Sequence, residues 1–508
     1  MRHDKKSPDC ATILAVSLCI GDVFRIAAAS SPTRVAATLG DDTLTFAEIS
    51  ARGNRLAHVL AGMGVTRGDR ICWWGDTSLD AVPLFAALAS LGAVFAPLNA
   101  RAGVEEVAPV AGYARPRLVV AGTTHVAEGA AVAADLDVPF AHIGAGPGTD
   151  LLAAAEGASE APPNVPVDER DPHVIFFTSG STGRPKGVVL SHRTNWLRTY
   201  PGATSTAGAG GGTVCMFPLF HMAGWTIALG AWQSRRAVHF VRVPDAPTLL
   251  AETERHRAAR LYCIPAVWAR ILDHGVAGHD LSALQEADTG TSATPVELLC
   301  ALHDALPHTV TRVFYGSTEA GPGVQLAHAD LFRKPGSVGV AQPGVELRLV
   351  EGEVCLRSAF MMDGYFDNPD ATAEVLRDGW YHTGDLGAID DDGYLSIVGR
   401  ARDVIRTGGE TVAPAEVEAA LATHPDIAEI AVVGVPDPAW GETVTAVIVL
   451  RPGADPIDLA AIRAHCDGRL ASFKQPRRLE VVPALPRTAA TGQVQRTLIV
   501  EQLQSRLS

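Results

Sequence analysis

A chain of 508 residues is too long for one ordinary hydrophobic core and predicts at least two domains. With 47% hydrophobic and 19% charged residues it reads as globular rather than disordered. Its 42 Lys and Arg against 56 Asp and Glu leave a net charge of −14, which repels phosphate backbones and excludes nucleic acid as an expected partner.

In chain order, Arg2, Lys5 and Lys6 precede the apolar run ATILAVSLCI (11–20). The run is far short of a membrane span, and no small-x-small cleavage site follows it, so packed or frayed N-terminal structure is expected rather than a secretion signal. Thr45 and Glu48 form a capping-box signature. Phe46, Ile49, Leu56, Val59 and Leu60 then make a helical apolar stripe that ends at Gly62–Gly64. Strand patterns RICWW (70–74), AVFAPL (93–98), RLVVA (117–121) and HVIFF (173–177) alternate with a helix near 80–91. This is the rhythm of a layered α/β domain. The small, acidic, Pro-rich stretch 154–172 reads as a surface loop. Near the end, a helix at 414–423, strands at 427–435 and 443–450 and a helix at 456–470 predict a small α+β domain. The eight cysteines (10, 19, 72, 215, 263, 300, 355, 466) never adopt C-x-x-C spacing. That argues against a zinc site or disulfide framework and for a reducing cytoplasm.

The strongest local signal is FFTSGSTGRPKGVVLSH (176–192). A buried strand runs into Thr178, Ser179, Gly180, Ser181, Thr182 and Gly183, and then Lys186. Glycines let backbone N–H groups turn inward, while hydroxyls and an ammonium add donors, as a polyphosphate cradle requires. A solvated Gly/Ser hairpin loop is the other reading of the same chemistry. The spacing is not G-x-x-x-x-G-K-[ST], and Pro185 with Val188–Val189 favours a returning strand over the helix of a P-loop.

At this stretch the chain resembles the adenylate-forming superfamily of acyl-CoA synthetases, luciferases and peptide-synthetase adenylation domains. Further motifs follow in the order that resemblance requires, from about residue 21 to 500. PLFHMAGW (218–225) is similar to the segment whose His, here His221, lies beside the acyl pocket. YGSTEAGP (315–322) is similar to the motif that brings Tyr315 to the nucleotide, Thr318 to the α-phosphate and Glu319 to Mg²⁺. GWYHTGD (379–385) implies Asp385 on the ribose hydroxyls, with Arg400 beside the nucleoside. The segment 288–292 implies adenine contacts from Gly290 and Thr291, although Thr289-Gly290-Thr291 stands where Gly-Gly-Ala is usual. GRARDVIRTGGETVAPAEVE (399–418) implies a hinge at Arg402 and a loop, Gly408–Gly409, that faces the CoA tunnel. Trp440 in PDPAWGE lies in a segment typical of CoA ligases. Any one of these residues could be purely structural, but five long motifs in one order have no such cause.

The resemblance thus implies a large multi-layer α/β N-terminal domain (1–401) and a small mobile C-terminal domain (402–508). ATP, Mg²⁺, CoA and a small-molecule acid are the implied ligands. Activation by attack on the α-phosphate needs phosphate neutralisation and positioning more than covalent chemistry. Because no carrier domain follows residue 508, a stand-alone enzyme is expected, without a membrane span.

The pattern breaks near the end, at PRTAATGQVQR (486–496). The family's P-[RK]-x-x-x-G-K lysine contacts the α-phosphate and the attacking carboxylate. Here one extra residue separates Arg487 from Gly492, and Gln493 takes the lysine position. An amide donates hydrogen bonds but neutralises no charge, and losing such a clamp costs roughly 3 kcal/mol. Arg487 is the expected substitute cation, with Gln493 on the ribose or carboxylate. Three readings follow: an acyl-CoA ligase with an altered loop; an enzyme that activates an unusual anion such as nitrite or hands its adenylate to an amine; and a weak homologue that binds ligands. The intact motifs favour the first. Trp225, Ile264, Trp268 and the small residues at 289–292 are the expected acyl-pocket lining.

Overall fold

The protein is described here from a computed structural model, which covers residues 17–178, 185–200, 211–488 and 492–506. Most of the 11–20 run, residues Ser179 to Gly183 of the phosphate loop, and Thr491 lie outside the described residues.

Two large sheets organise the first 340 residues. One has eight strands, with Pro172–Thr178, Val94–Pro97, Arg70–Trp74, Leu118–Gly122 and Phe140–Ile143 parallel at its centre. All but Phe140–Ile143 are apolar runs read from the sequence, and they are continuous rather than alternating because both faces of a parallel sheet are covered. The other has nine strands, with Thr213–Cys215, Arg260–Tyr262, Glu286–Gly290 and Val310–Ser317 running parallel. The helix Phe46–Gly62 starts at the anticipated capping box and buries Phe46, Ile49, Leu56 and Leu60. The helix Ala81–Leu91 is buried on nearly every side, as its unbroken apolar sequence requires.

A third, five-stranded antiparallel sheet, built from Val345–Val350, Glu353–Ser358, Leu376–Arg377, Trp380–Ile389 and Leu395–Arg400, carries Asp385 and Arg400. Its outer strand alternates charged and apolar residues (VELRLV), a weaker signal than the buried runs upstream.

The C-terminal part has its own sheet and its own cores. Along Ile427–Asp437, Val432 packs with Val417, Leu421 and Ile462, while Ala431, Val433 and Val435 pack with Leu485, Ile499 and Leu503. The period of two puts helices Pro414–Leu421 and Leu459–Cys466 over one face and Arg496–Ser505 over the other. The second of these helices is shorter than expected: Asp458 caps it through the Ala461 N–H, and the left-handed Gly468 follows its end. The large core ends at Leu395 and the small one begins at Ile405, with a short 3₁₀ turn, Ala401–Asp403, between them.

Candidate active site

Strands Pro172–Thr178 and Lys186–Ser191 are antiparallel and pair Thr178 with Lys186, so the chain returns as a strand at Lys186, as the sequence favoured. The Lys186 ammonium lies 4.8 Å from the centre of the Tyr365 ring. Tyr365, on the short strand Gly364–Tyr365 that pairs with Val188–Val189, donates from its hydroxyl to Glu319 Oε1 at 3.0 Å. Burial, then the Glu319 charge, pushes the Tyr365 phenol up, so it stays a donor at neutral pH. Thr318 and Glu319 occupy the tight connection between Val310–Ser317 and Gly321–Leu326; the Ala320 N–H donates to Ser317 Oγ, and Gly321 takes a left-handed φ of 72°.

A second carboxylate is held in the same way. Tyr315 donates to Asp385 Oδ2 at 2.7 Å, and Arg400 Nε lies 2.9 Å from Asp385 Oδ1 across a directly paired strand position. Burial, then the charges of Glu319, Tyr365 and Asp385, pushes the Tyr381 phenol up. Tyr315, the donor to Asp385, lies on the strand that leads into the Glu319 turn, so both carboxylates are tied to that hairpin. A hard cation takes oxygen ligands, and Glu319, beside Lys186 and the phosphate-loop hairpin, offers one.

Gly290 closes the adjacent wall. A Cβ there would lie 2.2 Å from the Phe314 carbonyl oxygen and 2.7 Å from the Tyr262 hydroxyl, so only glycine fits. Thr291 follows in the left-handed region at φ 68°. Behind them Asp288 is fully buried, bonded twice by Arg312 at 2.8 Å and once by Arg260 at 2.7 Å. His221 caps the helix Met222–Gln233: its Nδ1 accepts from the Ala223 N–H at 3.1 Å, and its ring stacks on Phe217. Burial pushes its pKa down to about 4, so it is neutral at pH 7.

Two expected pocket residues are placed elsewhere. Trp225 is core, stacked on Phe85 with its N–H on the Leu219 carbonyl, and Trp268 is core with its N–H on the Asp288 carbonyl. Their bulk and aromatic character do not distinguish a pocket wall from a core.

The C-terminal loop reaches this wall. The Gln493 side-chain amide donates to the Thr291 carbonyl at 3.2 Å, and a Cβ on the left-handed Gly492 would lie 3.8 Å from Ile264. The loop closes on itself through Thr488 N–H to the Gln493 carbonyl and Gly492 N–H to the Thr488 carbonyl. Arg487, anticipated from the sequence as the substitute cation, is engaged within its own domain in this structure. Its guanidinium donates to the Gly492 carbonyl and to Glu429 Oε2, each at 2.7 Å, so it braces the base of the loop within the C-terminal domain. The extra residue lengthens the loop, and Arg487 is used to fold it.

Gly408 and Gly409 form a two-residue hairpin turn with φ of 60° and 81°, closing the pair Thr407–Glu410. Trp440 covers it: a Cβ on Gly408 would lie 2.9 Å from the indole, whose ring also carries Arg477 at 4.0 Å. The indole is still 44% exposed, which leaves surface for a ligand.

Tyr365, Tyr381 and Tyr262 were not singled out from the sequence. Nothing local marks any of them, and only the fold reveals its surroundings. Glu353, Cys355 and His382 also converge, a donor set that a metal can use, but Arg377 Nη2 already lies 2.6 Å from His382 Nδ1 and a guanidinium fills the cluster.

The pattern of AMP-binding enzymes matches residues 24–366, and that of the AMP-binding enzyme C-terminal domain matches 416–491. A feruloyl-CoA synthase from Amycolatopsis sp is 34% identical over 477 residues, covering 91% of this chain and 94% of the relative. An indoleacetate–CoA ligase from Aromatoleum aromaticum is 32% identical over 477 residues, covering 90% and 93%. Among solved structures, ATP-bound MatB from Rhodopseudomonas palustris matches with a TM-score of 0.88 at 30% identity, over 96% of this chain and all of that one. The amide bond synthetase McbA from Marinactinospora thermotolerans matches at 0.85 with 28% identity, over 95% and 99%. With both carboxylate clusters in place and both parts of the pattern matched, the chain belongs to the AMP-binding enzyme family and is an adenylate-forming enzyme that resembles acyl-CoA synthetases.

Proposed function

We propose that the protein condenses a carboxylic acid with CoA at the expense of ATP, in two steps on one site. The observation that carries this reading is the pair of oriented carboxylates, Glu319 held by Tyr365 and Asp385 held by Tyr315, beside the strands that flank the phosphate loop. In the first step a carboxylate oxygen of the acid attacks the α-phosphorus, the bond to the β-phosphate oxygen breaks, and pyrophosphate leaves. In the second the CoA thiolate attacks the acyl carbon, and AMP departs with the electron pair of the cleaved bond.

The large domain supplies the binding groups. Lys186 and the loop 178–183 face the β- and γ-phosphates, Thr318 the α-phosphate, and Asp385 with Arg400 the ribose. Gly290, Thr291 and Tyr315 bound the nucleoside, and His221 lies at the acyl side. Glu319 would hold Mg²⁺, which when bound supplies charge neutralisation on the triphosphate. Gln493 positions the C-terminal loop against Thr291 without adding charge.

The small domain, proposed as 402–508, turns about Arg402 between the steps. The 3₁₀ turn between the two cores and the exposed Arg402 side chain support this placement. The Gly408–Gly409 turn and the exposed indole of Trp440 then serve CoA. The seven cysteines among the described residues form no disulfide, and all are buried except Cys300, which supports a reducing cytoplasm as the compartment; no helix among the described residues is long and apolar enough to cross a membrane.

A second acceptor is kept in view because the amide bond synthetase matches nearly the whole chain. The test is AMP release with aryl, fatty and short dicarboxylic acids, each with CoA, with an amine, or with neither. Thioester formed with CoA supports the proposal. Amide formed in preference to thioester moves the reading to the amine acceptor, and no acid-dependent AMP or pyrophosphate release overturns both.

A further inference from the structure

The helix His192–Thr199, which follows the phosphate-loop hairpin directly, buries a guanidinium that the two-step chemistry above does not use. Arg198 is 5% exposed. Its Nη1 donates to the Thr318 carbonyl at 2.9 Å and its Nη2 to the Phe360 carbonyl at 2.7 Å, while Nε has no partner. No carboxylate touches it among the described ion pairs; Asp363 and Glu319 act on it only through space. Burial lowers its pKa to about 10, so it is charged at neutral pH. Burying a charge with neutral partners alone is costly, and a fold carries such a group where its geometry is needed.

That geometry is a junction. The Phe360–Tyr365 segment touches the Glu319 turn twice by itself, through Met362 N–H to the Glu319 carbonyl at 2.7 Å and through the Tyr365 hydroxyl. It is tied to the hairpin by Asp363, which accepts from the Ser191 N–H at 2.5 Å and donates its own N–H to the Val189 carbonyl at 3.0 Å. Arg198 closes the triangle from behind: one planar fork spans Thr318 and Phe360, and its helix is capped by the same Ser191. A guanidinium can bridge two carbonyls on separate segments in one plane, whereas an ammonium reaches a single point. Against its other side, a Cβ on Gly321 would lie 3.5 Å from the guanidinium carbon, which leaves little room for rearrangement.

We propose that Arg198 is a positioning residue that fixes the register of the Thr318–Glu319 turn to the phosphate-loop hairpin, so that the metal-side carboxylate and the phosphate donors face the same triphosphate. This rests on the assignment of Glu319 given above.

The test titrates Mg²⁺ and follows the rise in melting temperature caused by ATP, in wild type, Arg198→Met, Arg198→Lys and Glu319→Ala. The Met variant keeps the length and loses both donors; Lys keeps the charge and one donor. We expect the Mg²⁺ concentration for half of the ATP-dependent shift to rise about tenfold in Arg198→Met and about threefold in Arg198→Lys. In pyrophosphate exchange kcat should fall while KM for the acid holds. If Arg198→Met does not fold, Arg198→Lys alone decides. A wild-type Mg²⁺ midpoint in the folded variants, even with a lower melting temperature, reduces Arg198 to a structural brace and overturns the proposal. Glu319→Ala separates the two ideas: if it keeps the full Mg²⁺-dependent shift, the metal assignment fails whatever Arg198 does.

Discussion

The two ends of the site are held in different ways. In the large domain each candidate carboxylate accepts from a tyrosine hydroxyl, and the residues lie on or beside hydrogen-bonded strands. The C-terminal loop reaches the same site through a side-chain amide on a backbone carbonyl, and its base is braced on its own domain by Arg487. The difference follows from what each part does. On the proposed mechanism, groups that meet ATP in one geometry are built into sheets, while a group that would leave between steps is presented on a loop.

If that contrast holds, losses should be largest where the geometry is fixed. Glu319→Ala should cut pyrophosphate exchange by about a thousandfold and abolish the Mg²⁺ dependence of ATP binding, and Asp385→Ala should raise KM for ATP by about a hundredfold. Exchange rates within tenfold of wild type for both would place the nucleotide elsewhere.

Arg402→Pro comes next. A fixed φ at the turn should hold one domain orientation, so that one half-reaction falls by about a hundredfold and the other survives. Single-turnover measurement of adenylate formation and of thioester formation separates them, and equal losses would argue against alternation.

The loop should give smaller effects. Removing one neutral hydrogen bond in Gln493→Ala should slow adenylation by about fivefold. Because Arg487 acts by folding the same loop, Arg487→Ala should cost a similar amount, and the double variant should be no slower than the slower single one. Multiplying effects would mean that Arg487 reaches the nucleotide after all.

The smallest effect is on stability against acid. Burial pushes His192 and His221 down to about 4 and His239 to about 3, from about 6.5 when unfolded. Between those values the unfolded chain binds more protons, so the large domain is fully stable above pH 6.5 and weakens as pH falls toward 4. Urea midpoints should fall over that window, and less steeply in His192→Asn. A midpoint that does not change between pH 6.5 and 4.5 would contradict the buried, neutral state of these rings.

The buried parallel strands and the capping box were legible in the sequence because burial and capping leave local patterns. The motif residues were legible through their order along the chain. Three things were not. The strand that carries Asp385 pairs through non-local register in a sheet whose outer strand alternates charged and apolar residues. The tyrosines that hold the two carboxylates lie 46 and 70 residues from them in sequence: Tyr365 carried no local signal, and Tyr315 was read toward the nucleotide and not toward Asp385. The role of Arg487 depended on Glu429, 58 residues away, and charge alone suggested the nucleotide as its partner.

The Gln493–Thr291 contact has a kinetic side. A neutral hydrogen bond contributes about 1 kcal/mol net, a bias of only about fivefold between docked and undocked populations. A cation in its place, facing a newly formed phosphate ester, would add an attraction that has to be broken before the small domain can turn. Under the proposed alternation, trading charge for an amide would give up some grip on the first transition state and keep the domain quick to undock. Turnover should then be limited by chemistry or by substrate supply, and the viscosity of the medium should have little influence on it.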